Sequence, residues 1–163
     1  MTPHREPTVL EQLTSPANWA QLAWAMLPAL FALIAGGWAG AAAGGPGAIA
    51  GAVGLFIAWV LTMGAAKAVS IWLAIAVLGW QGLRHLRGRP HDAASDRRAQ
   101  RLFTLALFAT ATVVLVPCAV LTALIASLVG EGGFVAAAWR LLAVVAVLVL
   151  VAPRSLRAAG MAP

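Results

Sequence analysis

Charged side chains inside apolar runs are the first candidates for chemistry in this chain. Arg140 lies in FVAAAWRLLAVVAVLVLVA and Lys67 in LTMGAAKAVS, each the lone charge of its stretch. A charge within hydrocarbon costs a few kcal/mol, so it must face an interior, a counter-charge or the headgroups. Glu131, in the turn Gly130-Glu131-Gly132-Gly133, is the acid that could serve both. Lys67, Glu131 and Arg140 therefore form a candidate polar cluster at the outer face, either a gate that attracts anions or a structural ion pair. The plainer alternative is that Arg140 snorkels to the headgroups beside Trp139 and Lys67 caps a turn.

Other reactive types are poorly placed. His4, His85 and His91 all lie outside the depths of the apolar runs. Haem held between helices needs axial ligands inside the bundle, so a cytochrome-like role is disfavoured. His85, His91, Asp92 and Asp96 have the donor types for a divalent cation, but the surrounding arginines repel one. The lone Cys118 excludes an internal disulfide and reads as a small buried hydrophobe. Ser70 and the threonines have no neighbouring base to activate them. No catalytic, cofactor or metal residue is expected, and the chain is not expected to be an enzyme.

The elements that position these residues are set by composition. The chain has 163 residues, 62% hydrophobic and 10% charged. A soluble domain carries about 25% charged residues, and a core this small cannot bury the excess apolar surface. Lipid must cover it. A formal charge of +6 would suit nucleic acid, but the basic residues cluster beside apolar runs, where anionic headgroups are the natural partner. No nucleic-acid partner is expected. Residues 1–16 lack the apolar core and cleavage pattern of a signal peptide. The Ala-, Gly-, Val- and Arg-rich composition points to a bacterial inner membrane protein.

The expected fold is all-α, a polytopic membrane bundle of five transmembrane helices. A polar segment (1–16) precedes an N-terminal transmembrane half (17–83). A basic cytoplasmic loop (84–101), a helical pair (102–152) and a basic tail (153–163) follow. Ser15-Pro16 reads as a helix start, and Pro28 as a kink in the first span, 17–35. Gly36, Gly40, Gly44, Gly47 and Gly51 recur at four- and three-residue intervals. Such spacing suits a flexible connector, a packing seam within the chain or a seam between copies. Gly44-Gly45-Pro46-Gly47 should break the helix.

Residues 48–83 are the hard case. As one helix they would reach about 54 Å, against a hydrocarbon core of ~30 Å. Measuring back from Leu83 puts Lys67 near the opposite surface. Two short spans, 48–63 and 68–84, joined by a turn at 63–67, are therefore favoured. The runner-up is four spans with one long helix, 47–83. Pro117 kinks the span 102–129 and frees the Val113 carbonyl, which Thr112 or another helix would satisfy. Pro153 should end the last span, 134–152.

Arg84, Arg87, Arg89, Arg97, Arg98 and Arg101 in the loop, with Arg154 and Arg157 in the tail, orient the chain. By the positive-inside rule that side, with the C-terminus, is cytoplasmic. The leading expectation is a small multi-pass accessory or scaffold subunit of a larger membrane assembly, with a homo- or hetero-oligomeric partner. A small oligomeric channel or transporter component is the first alternative, and a membrane immunity or exclusion protein another.

Overall fold

The computed structural model describes residues 16–86 and 93–160. The described residues form four long helices: α1, Pro16–Gly40; α2, Gly45–Leu86; α3, Ala93–Val129; and α4, Phe134–Ala158. All four are long and apolar enough to cross a membrane. Among the described residues the fold is thus all-helical, with four candidate spans and not the expected five.

The correction lies in α2, which runs unbroken for 42 residues, about 63 Å at 1.5 Å per residue. The expected turn at 63–67 is helical. Two physical reasons account for this. The only breaker there is Gly64, and a lone helix-interior glycine costs about 1 kcal/mol, too little to end a helix. A single buried stripe also passes straight through the segment: Leu55, Ala58, Trp59, Thr62, Ala66 and Ser70. Their spacing of three and four keeps one face against the bundle on both sides of Gly64.

Where the breakers are dense, the chain does turn. Past α1, a 3-10 turn at Ala41–Ala43 leads to Gly44, whose φ of +92° is closed to side chains at low cost. The Gly44 N–H bonds the Ala41 carbonyl at 3.0 Å, and the Gly44 carbonyl accepts from Ala48 at 3.0 Å. Pro46 then sits in the first turn of α2, where its missing N–H is harmless. At the other end of the chain, Pro153 does not stop α4, which continues to Ala158. Ala152, Ser155 and Leu156 are all buried, and this packing holds the last turns helical past the proline.

Short turns make sequential neighbours antiparallel. α1 packs on α2, α2 on α3 and α3 on α4, and α4 closes the ring against α1, while α2 and α4 face each other across the diagonal. The centre is filled by Leu55, Trp59, Leu107, Leu115, Leu141, Val145 and Leu148, with small residues such as Ala32, Ala58, Ala111 and Ala123 letting the helices approach. The outer surface is equally apolar: Ile34, Trp38, Val113, Leu128, Val135 and Trp139 are each more than 60% exposed. Apolar surface on every side, over helices that satisfy their own backbone, is what a bilayer demands.

Candidate functional site

At the end holding both short turns, α1 and α2 touch backbone to backbone. A Cβ placed on Gly36 would stand 2.5 Å from the Gly51 carbonyl oxygen, and one on Gly47 would stand 2.6 Å from that of Gly40. Gly40 and Gly51 are blocked in the same reciprocal way. Gly44 belongs to the turn. Three further glycines were not singled out in the sequence. Gly54 lies against the Thr122 side chain of α3, and Gly130 and Gly132 lie against the Ala43 and Ala42 backbone. Gly54 stands three residues past Gly51, so the spacing contained a signal. Gly130 and Gly132 had only a turn to explain them.

Arg140 and Glu131 belong to this end. The Arg140 guanidinium carbon lies 5.2 Å from the centroid of the Trp38 ring, joining α4 to α1 by a cation–π contact. Glu131 is exposed in the turn between α3 and α4. Lys67 is not with them. It lies 22 residues along α2 from Gly45, about 33 Å away. The three-residue outer cluster is therefore corrected: only Glu131 and Arg140 share an end, and the exposed Lys67 stands at the other, level with the tail of α4.

That other end is held by side-chain hydrogen bonds. Pro28 has no N–H, which leaves the carbonyl of Trp24, four residues back, without its helical donor. The Ser155 hydroxyl of α4 donates to it at 2.7 Å. One residue along, the Trp59 indole N–H of α2 donates to the Ala25 carbonyl at 3.3 Å. Two helices thus grip α1 at its proline. Arg157 donates through Nη2 to the Gln100 carbonyl at 3.4 Å and to the Thr104 hydroxyl, fastening α4 to α3. Ser155 and Trp59 were missed as partners because the freed carbonyl is legible from Pro28, but the identity of its donor depends on which helices meet.

The second proline behaves differently. Pro117 frees the Val113 carbonyl, but the Thr112 hydroxyl bonds the Phe108 carbonyl at 2.9 Å instead. Thr104 and Thr110 likewise bond carbonyls four residues back on their own helix. The hydroxyls of Thr104, Thr110 and Thr112 are thus turned to their own backbone. Cys118 is a half-buried free thiol packed against the core. The Ser70 hydroxyl is buried without a hydrogen-bond partner.

Of the orienting arginines, Arg97, Arg98 and Arg101 are exposed on the first turns of α3, and Arg154 is exposed on α4. Arg84 lies in the last turn of α2. Arg87, Arg89 and His91 lie outside the described residues, as does His4. Among the described residues, no group of three or more His, Cys, Asp or Glu side chains is placed to hold a metal.

α2 and α3 also outrun their neighbours here. The pairing of Gly36 with Gly51 and Gly40 with Gly47 sets the register, so Pro16 faces α2 near residue 71. About fifteen further residues of α2, some 22 Å, continue past the start of α1. On this extension Ile71, Trp72, Ile75, Leu78, Trp80 and Leu83 are all more than half exposed. No family model, curated protein or solved structure matches this chain.

Proposed function

We propose that this chain is a small multi-pass accessory or scaffold subunit of a larger assembly in a bacterial inner membrane, with no catalytic chemistry of its own. Its partner docks on the extended α2–α3 hairpin. The observation that carries this reading is a mismatch of lengths. The apolar span Gly45–Leu83 has 39 residues, about 58 Å, and even a tilt of 40° would leave it covering about 45 Å of a ~30 Å hydrocarbon core. The uncharged surface of residues 71–83 then stands outside the hydrocarbon, where apolar patches of this size mark protein contacts. Positive charge beside it supports a cytoplasmic placement of the hairpin and both termini, against anionic headgroups.

The test is site-specific photo-crosslinking in the native membrane. A crosslinker at Leu78 should give one protein adduct of defined mass, and the same group at Val113 should give lipid adducts. Protein adducts absent at Leu78, or equal at both positions, would overturn the reading. A small oligomeric channel or transporter component has less support, because Trp59, Leu55, Leu115 and Leu141 fill the centre of a single copy. A membrane immunity or exclusion protein would use the same hairpin, with a foreign pore as partner.

A further inference from the structure

The contact between α1 and α4 opens outward into a groove of about 220 Å³. Trp24, Pro28 and Phe31 of α1 form one wall, and Val147 and Val151 of α4 the other, with Ser155 at the foot. Pro28 lines the groove at this level, and the Ser155–Trp24 hydrogen bond pins the two helices together just below. Its walls are apolar, and it faces the surroundings of the bundle.

Its depth can be measured from the outer end of α4. Val147 lies 13 residues past Phe134 and Ser155 lies 21, so the groove runs from about 20 Å to about 31 Å below that end. With a ~30 Å hydrocarbon core, this is the acyl region of the leaflet on the basic side, ending at the headgroup boundary. Two polar side chains stand at that mouth. Arg154 is exposed and follows Val147 and Val151 by seven and three residues, on the same side of α4. Gln21, one turn before Trp24, is exposed, and a Cβ on Gly160 would lie 3.5 Å from its amide. The side-chain amide therefore sits where α4 ends.

We propose that this groove is a site for a single anionic phospholipid, with one acyl chain between Trp24, Phe31, Val147 and Val151 and the phosphate at Arg154 and the Gln21 amide. The charge at the mouth selects the occupant: a guanidinium and an amide N–H both donate, which suits a phosphate that lacks a compensating choline. The site rests on the membrane placement proposed above but not on the docking of a partner at the hairpin. It lies on the α1–α4 face, while the hairpin belongs to α2 and α3.

The experiment is native mass spectrometry of the delipidated full chain titrated with phosphatidylglycerol or phosphatidylcholine of identical acyl chains. The first bound phosphatidylglycerol should hold about ten-fold more tightly than phosphatidylcholine, the worth of a hydrogen-bonded charge contact. Arg154→Gln, an exposed change that leaves packing intact, should erase that preference. Val151→Trp, which fills the groove, should weaken both lipids. Lys67→Gln, on α2 and diagonally across from α4, should leave the preference unchanged. Equal binding of the two lipids by the parent chain would overturn the site, as would a preference that survives Arg154→Gln or disappears with Lys67→Gln. Hairpin crosslinking on the same Arg154→Gln variant separates the proposals: adducts at Leu78 persist whether or not the lipid is lost.

Discussion

The two ends of this bundle are joined by different physics. At the turn end, glycines bring α1 and α2 within backbone contact, and the attraction is dispersion between closely fitted surfaces. At the basic end, Ser155, Trp59 and Arg157 hold the helices by hydrogen bonds between them, the first two at the Pro28 turn of α1, and α2 runs on past the start of α1. The first arrangement tolerates no added atoms. The second tolerates change at exposed positions but depends on donors meeting particular acceptors. A close-packed end thus stands opposite an extended one.

Variants can break this contrast, beginning with the largest effect. Trp59→Ala removes the largest fully buried side chain together with its bond to α1, and should lower unfolding stability in detergent by about 4 kcal/mol, the usual cost of an aromatic deletion. Gly51→Leu should cost about 3 kcal/mol, the upper range for overpacking, because the Gly36 and Gly40 backbone cannot withdraw. The matched control is Gly64→Ala, where a Cβ meets nothing within 4 Å; reversible unfolding should show a gain of up to about 1 kcal/mol. A similar loss at both glycines would erase the distinction between seam and free helix.

At the basic end the expected effect is smaller and conditional. Ser155→Ala should cost about 1 kcal/mol, in the range for interhelical hydrogen bonds in membranes. In a Pro28→Ala background the Trp24 carbonyl regains its own helical donor, so the serine change should then cost less than half as much. Additivity in that double-mutant cycle would mean that the proline and the serine are unrelated. Trp38→Leu should give the smallest loss, about 0.5 kcal/mol, by removing the exposed cation–π contact with Arg140.

The class of fold was legible in the sequence because 62% apolar content points to long apolar helices, and four helices apolar enough to cross a membrane are found among the described residues. The break at Gly44 was legible for a local reason, since three glycines and a proline fall within four residues. The unbroken α2 was not. A membrane boundary at Leu83 argues for two spans, whereas the fold turns the chain at Gly44 and runs α2 unbroken from there. Measured from there, Lys67 falls at the basic end and residues 71–83 run past it. Periodicity alone could not choose between these origins, because the helix is apolar on every face. Pro153 misled for a related reason. Its local preference to stop a helix lost to the burial of Ser155 and Leu156, which only the packing of α4 on its neighbours reveals. The Ser155–Trp24 hydrogen bond spans 131 residues and leaves no local trace.

The most direct test of the four-helix account is which side of the membrane the N-terminal segment occupies. In a Cys118→Ala background, single cysteines are placed by His4→Cys and His91→Cys and labelled in intact cells with a membrane-impermeant maleimide, then again after permeabilisation. Four spans with one continuous α2 require both positions to label alike, and with the proposed cytoplasmic placement both are shielded in intact cells and labelled together after permeabilisation. Labelling of position 4 from outside, with position 91 still protected, would mean an odd number of crossings between them and would contradict the continuous helix.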